Sequence, residues 1–343
     1  MTSPASTERL QAIAREVCEA LLSAESGNPN DDQSQQSVDA AMNHCLQQLD
    51  ATGLVGPANR IPSNEFWNIA KPVFERGALQ LHAREKPRGY AGDYQLLDHI
   101  CQNRTPGESR RVANSDEPDR LGRAMDVFFQ SQSAPCAVRN RYRDIARHIV
   151  RLSAERTDQP LRILSFGSGP AWEVNWSLEE LTPAQIGRLD VTLMDIDPAA
   201  LEFCRDNIGR SNAEAGEGKL PAVTTTRVNL GRFPRLKKVH ASLEKFDLVY
   251  CAGLFDYLPT EQFVDMLQSL WNLVDENGTL LAFNFSDNNP SRAYMEWIGN
   301  WYLLHRSADQ LSELADEADL PKCEFRVQSE EEGVNLFLRC RHS

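Results

Sequence analysis

From Leu161 onward, short apolar or β-branched runs alternate with helix-periodic stretches, and this alternation restricts the fold more than any other feature. "LRILSFGSG", "RLDVTLMDID", "AVTTTRVNL", "KFDLVYCAG" and "ENGTLLAFNFSD" read as strands. "PAALEFCRDNI", "TEQFVDMLQSLWNLV" and "SRAYMEWIGNWYLLHRSADQLSELADEA" read as helices. Strands separated by helices form a parallel sheet with helices on both faces. The last two strand-like runs, "KCEFRVQ" and "VNLFLRCR", are joined by "SEEEG", a turn that makes them antiparallel. The expected architecture is a Rossmann-like α/β fold, with a seven-stranded, mostly parallel sheet closed by an antiparallel C-terminal hairpin.

Before this region the spacing is helical. "TERLQAIAREVCEALLSA", "SVDAAMNHCLQQLDATGLV", "SNEFWNIAKPVFERGALQLHARE" and "APCAVRNRYRDIARHIVRLSAE" place apolar residues three and four apart. In the third, Ser63 is a candidate N-cap and Pro72 a candidate kink. Polar "ESGNPNDDQSQQ" reads as a loop and "CQNRTPGESRRVANSDEPDR" as a linker. Two domains are expected: a helical one over 1–153 and an α/β one over 154–343.

A formal net charge of −13 argues against nucleic-acid partners, which attract clustered lysine and arginine. No apolar run approaches the ~20 residues of a membrane span, and the start lacks the basic-then-apolar pattern of a secretion leader. The 8 cysteines are scattered without a CxxC pair, so neither zinc nor a disulfide framework is expected. A cytoplasmic protein without a metal, acting as a monomer or homodimer on a small molecule, follows as the expectation.

"ILSFGSGPAWEV" places Gly167 and Gly169 at the carboxyl end of the first strand, where a doubly wound sheet binds its ligand. Glycines there allow a tight turn and close backbone approach. The next strand ends in Asp195, a carboxylate suited to the paired hydroxyls of a ribose. A dinucleotide fingerprint needs a third small residue where this chain has Trp172. S-adenosylmethionine, with a ribose and an adenine but no pyrophosphate, suits the turn better.

In the order "FGSG", "LMDID", "RVNL", "FDLVYCAGLFDYL", "GTLLAFNF", the chain resembles the class I S-adenosylmethionine-dependent methyltransferases from Leu161 to its end. The resemblance implies that Phe166, Gly167, Ser168 and Gly169 border the methionine portion and that Asp195 holds the ribose. It implies further that Ile196 packs on adenine, beside Asn229 and Leu230, and that Cys251 and Gly253 complete the cofactor site. Asn229 falls where the family often has an aspartate, and Ala171 replaces the third motif glycine.

"RGYAGDY", "APCAVRNRYRDI", "AGLFDYLP" and "SRAYMEWIGNWYLLHRS" together resemble a bacterial methyltransferase group that includes synthases of 3-hydroxypalmitic acid methyl ester. On that resemblance the N-terminal domain is a lid. Tyr90 and Asp93 then reach the cofactor, and Gly89 and Gly92 are the flexible points. A carboxylate acceptor is already ionised at neutral pH and needs a cationic holder rather than a base. Arg88, Arg139 and Arg141 are candidates, with Tyr94, Tyr294 and Trp301 lining the acceptor and Tyr90, Arg139 and Tyr257 positioning it as the candidate catalytic residues. N- or O-methylation of an amino acid or other polar metabolite is the alternative. A non-catalytic scaffold with this fold is a second.

Overall fold

The computed structural model describes residues 4–27, 31–106, 119–210 and 219–342. Their contacts divide the chain into two units, Met1–Cys136 with Pro290–Leu303, and Ala137–Asn289 with Leu304–Ser343. The division falls at 136/137 instead of 153/154, and the helical unit takes a second, C-terminal piece of chain.

Apolar residues at helical spacing form α1 (Pro4–Gly27), α2 (Asp31–Asp50), α3 (Arg60–Phe74), α4 (Ala78–Glu85), α5 (Tyr94–Cys101) and α6 (Arg120–Ser131). The stretch expected as a loop after Ala24 is helical on both sides, because α1 runs to Gly27 and α2 starts at Asp31. Its Gln and Glu residues are good helix formers once a neighbouring turn supports them. Residues 28–30, and 107–118 of the expected linker, lie outside the described residues.

One long helix was expected from Ser63 to Glu85. Two form instead, with Glu75, Arg76 and Gly77 between them, and Ser63 lies inside α3 rather than capping it. Arg76 joins Glu25 of α1 to Asp119, the N-cap of α6, at 2.5 and 2.6 Å. The unit's core is aromatic: Phe66 meets Phe74 and Trp297 edge-on, and Tyr294 meets Phe128 and Phe129.

The other unit carries α7 (Ser133–Glu155), β1 (Leu161–Phe166), α8 (Trp172–Glu180), α9 (Pro183–Ile186), β2 (Leu189–Asp195), α10 (Pro198–Asn207) and β3 (Ala222–Arg227). It continues through α11 (Lys237–Ser242), β4 (Phe246–Cys251), α12 (Thr260–Trp271), β5 (Val274–Phe285), α13 (Ala308–Glu317), β6 (Cys323–Ser329) and β7 (Asn335–His342). The strand order is β3-β2-β1-β4-β5-β7-β6, parallel through β5 and antiparallel at β7 and β6.

Alternate residues of the central strands feed two separate cores. Leu248, Tyr250, Leu281 and Phe283 enter one; Val249, Cys251, Leu280 and Ala282 enter the other. Both faces of the sheet are therefore apolar, as a doubly covered parallel sheet requires.

The long helix expected from Ser291 is broken. A single π-helical turn spans Tyr294–Ile298, Asn300 is left-handed at φ 48°, and the chain then runs without helix to the isolated bridge at Arg306 before α13. Asparagine tolerates that backbone region better than most residues, so Gly299-Asn300 ends the turn where periodicity alone would continue it.

Candidate functional site

Strand order reverses between β1 and β4, which opens a crevice at their carboxyl ends. The turn leaving β1 is anchored there: the Gly167 and Ser168 N–H groups both donate to Met194 O, at 2.8 and 3.0 Å. Gly167 and Gly169 take φ of 74° and 52°, in the left-handed region that glycine occupies without strain. Gly169 N donates to Asp195 Oδ2 at 3.0 Å, and Asp197 N to Oδ1 at 2.9 Å. An ionised carboxylate has about four acceptor positions, so these two bonds leave capacity for vicinal hydroxyls. Asp195 is only 4% exposed, and burial is the main reason its carboxyl lies above the usual range.

Ile196, directly after it, is 43% exposed, an apolar side chain at the mouth of the crevice. Leu230 lies against the turn, its Cδ1 3.5 Å from where a Cβ on Gly167 would sit. Asn229 is exposed, and its side chain accepts from Arg232 N at 3.2 Å, capping the short 3-10 turn Leu230–Arg235. Ser168 is buried, its hydroxyl interacting with the Cys204 thiol.

Phe166 and Cys251 are the last residues of β1 and β4. Both side chains are fully buried in the core, Phe166 against Phe233 at 4.7 Å. Burial pushes the Cys251 thiol up to about 12. They offer a ligand at most their backbone. Asp93 is also buried, and its carboxylate is taken up by His82 Nε2, Gln95 N and Leu96 N within the helical unit. It is the N-cap of α5.

A Cβ on Gly92 would sit 2.7 Å from the Trp301 ring, so close approach requires a glycine there. Gly89, at φ 94° with open space around it, is the conformationally special one. Tyr294 is buried, its hydroxyl donating to Gln80 Oε1 at 2.7 Å, and Trp301 is buried as well. Arg88 stacks over Tyr94 at 5.8 Å, and Tyr90 and Tyr94 are half-buried. Tyr90, Asp93, Arg88, Tyr94, Tyr294 and Trp301 thus belong to the helical unit; the remaining candidates belong to the sheet unit.

Beyond β4, Tyr257 is 39% exposed while Asp256 is fully buried, Phe285 N donating to its Oδ1 at 2.5 Å. Burial pushes the Asp256 carboxyl up to about 6, against the opposing pull of Arg141. Arg139 is half-buried, whereas Arg141 is buried, with Nη2 3.4 Å from the Cβ position of Gly253.

Sequence reasoning passed over Glu173. It sits at the start of α8, fully buried, and accepts from Tyr250 Oη at 2.6 Å and Ser165 Oγ at 3.4 Å on the same oxygen. Burial raises its carboxyl to about 7, with the Tyr250 hydrogen bond pulling the other way. A lone acidic residue in the first turn after the glycines was the available signal. Arg306 was missed too. It donates to Phe255 O, Leu258 O and Asn284 Oδ1, holding the loop after β4. Among the described residues no cluster of His, Cys, Asp or Glu is arranged to hold a metal ion, and no helix is long and apolar enough to cross a membrane.

No protein-family model matches the chain, and no curated protein does. Among solved structures, a possible exported protein from Bordetella parapertussis is similar over 100% of this chain and 99% of its own, with 15% identity and a TM-score of 0.52. Magnesium protoporphyrin IX methyltransferase from Synechocystis, solved with bound SAH, matches 73% of this chain and 99% of its own at 14% identity and a TM-score of 0.44. The CurJ carbon methyltransferase matches 98% and 92% at 12% identity and 0.46. Strand order and the antiparallel β7 define the sheet unit as a Rossmann-like methyltransferase fold.

Proposed function

We propose that this protein is an S-adenosylmethionine-dependent methyltransferase acting on a small molecule. The observation that carries the reading is the left-handed glycine turn hydrogen-bonded to Asp195 at the strand-order reversal, followed by exposed Ile196. These residues fit the group: a backbone without side chains for the methionine portion, a carboxylate for the ribose and an apolar face for adenine. Solved structures of similar fold include methyltransferases with bound SAH or SAM.

The bound cofactor would supply a sulfonium-activated methyl group. The chain's own work is alignment and exclusion of water. Within this reading the acceptor is a carboxylic acid, with a 3-hydroxy fatty acid as the specific candidate, because a cationic holder is present in Arg141 and a carboxylate needs no base. Arg139 and exposed Tyr257 would orient it. The loop from Arg88 to Tyr94 is assigned the closing role on its residue types, with Asp93 spent on capping α5.

A second reading has its own observation. Burial pushes the Asp256 and Glu173 carboxyls up to about 6 and about 7, the range of a general base at neutral pH, though both are fully enclosed. A hydroxyl or amine acceptor would use one of them.

Calorimetric titration with S-adenosylhomocysteine tests the reading, using wild type and Asp195→Ala. Tight binding that weakens by about tenfold or more in the variant is expected, from loss of charge-assisted hydrogen bonds. Absence of binding by folded wild type would sink the enzyme reading and leave the scaffold. A kcat/KM that needs a deprotonated group near pH 6 to 7 would favour the second acceptor class.

A further inference from the structure

Arg141 is a buried cation with few hydrogen bonds. It is 3% exposed, and its one hydrogen bond runs from Nη1 to Asn335 Oδ1 at a long 3.4 Å. Its Nε has no partner among the described residues, and no carboxylate there lies within ion-pair distance of it. Tyr142 and Phe285 flank it, with ring centroids 5.7 and 5.9 Å from the guanidinium carbon, and its charge is felt by the buried carboxyls of Asp256 and Glu173 without a hydrogen bond to either. Asn335 repeats the pattern: it is fully buried and its Nδ2 donates to nothing among the described residues. Leaving buried donors without acceptors is costly, the more so on a charged group, so the unmatched Arg141 Nε and Asn335 Nδ2 on two side chains in contact need an explanation.

Both are held in place by the fold. Buried Glu330 accepts from Val334 N and Asn335 N on Oε1, at 2.8 and 2.9 Å, and from Glu332 N and Asn140 Nδ2 on Oε2, at 2.8 and 3.0 Å. One carboxylate thus ties the residue before Arg141 on α7 to the turn that starts β7. Asn335 also pairs in register with Phe285 at the carboxyl end of β5, and Arg141 Nη2 lies beside Gly253 just past β4. The two unpaired donors therefore sit at the edge of the sheet that carries the glycine turn.

Two orphan donors, one of them a guanidinium fork, call for a planar anion with two acceptor oxygens. We propose that Arg141 and Asn335 together bind a carboxylate, Arg141 as the charged fork and Asn335 as a specificity-determining donor. The assignment of sources rests on the methyltransferase reading. A carboxylate can come there from the methionine portion of the cofactor or from the acceptor, and the experiment separates them.

S-adenosylhomocysteine and 5′-methylthioadenosine, which lacks the amino-acid portion, are titrated into wild type, Arg141→Lys and Asn335→Leu. 3-Hydroxydecanoate and its amide are then titrated into the S-adenosylhomocysteine complexes. If the cofactor supplies the group, both variants lose about tenfold or more in S-adenosylhomocysteine affinity and nothing for methylthioadenosine. If the acceptor supplies it, the acid loses affinity by a similar factor, while its amide and the cofactor product are unchanged. The Arg141 Nε–H resonance of wild type, assigned through its side-chain connectivities, covers variants that fail to fold. It should move on addition of S-adenosylhomocysteine, 3-hydroxydecanoate or acetate, and not with methylthioadenosine or the amide. Acetate keeps this readout valid even if S-adenosylhomocysteine does not bind and the parent reading fails. Unmoved by all three carboxylates, the resonance would overturn the proposal, as would variants with unaltered affinities throughout.

Discussion

The Tyr250 hydroxyl donates to Glu173 at 2.6 Å, joining the carboxyl end of β4 to the first turn of α8. Glu173 loses its proton near pH 4.5 in the unfolded chain and near 7 in the folded one. Between those values the folded chain holds one more proton, so stability falls as pH rises through the window and levels off above it. Glu173→Gln carries the hydrogen-bonding pattern of the protonated acid and removes this loss. Relative to wild type it should gain stability from pH 5 to pH 8, by at most about 3 kcal/mol. Asp256 shifts in a neighbouring window in both proteins, so the difference isolates Glu173. Denaturant melts at the two pH values measure it, and an offset that does not change with pH would refute the buried-proton account.

Gly92 and Trp301 make a steric pair. An alanine at 92 meets the indole at 2.7 Å, and overpacking of this kind costs about 1–3 kcal/mol. Gly92→Ala should be destabilised by that amount and recovered in part by Trp301→Phe, whereas the same Trp301 change alone is destabilising. A double-mutant cycle in urea with no coupling would contradict the contact.

Asp93 caps α5 and pairs with His82. Asp93→Ala should cost about 1–2 kcal/mol, while Asp93→Asn keeps the cap and loses less. Neither change should alter S-adenosylhomocysteine affinity beyond a factor of two or so, within the error of two such measurements. A selective loss of affinity with unchanged stability would return Asp93 to the cofactor.

Tyr257 is the exposed member of its turn. Tyr257→Ala should leave stability within about 0.5 kcal/mol. In the proposed reaction it lowers kcat/KM about tenfold, the worth of one positioning contact. Full activity with lowered stability would make it a packing residue.

The sheet was legible because period-two apolar runs alternate with helical ones, and Asp195 and the glycine turn were legible because their residue types are matched to backbone geometry. The direction of the Phe166 and Cys251 side chains, both buried in the core, was less legible. Neighbouring positions on a strand face opposite sides, so nearness to a motif in sequence does not bring a side chain into its site. Helical spacing continued past Ile298, but the left-handed Asn300 ended the element. What could not be read at all was long-range pairing. Arg141 and Asn335 are separated by 194 positions, and Glu173 and Tyr250 by 77. Neither pair has a local pattern to announce it.

Tyr294, Trp297 and Trp301 fill the core of the helical unit, although the rest of that unit ends at Cys136. On the ribosome, therefore, the six N-terminal helices must wait for their last aromatic side chains until β1 through β5 have been synthesised. The helical unit begins first and is completed late, and a truncated product ending anywhere between the two pieces would expose Phe66, Phe128 and Phe129 to solvent or to the cell's proteases.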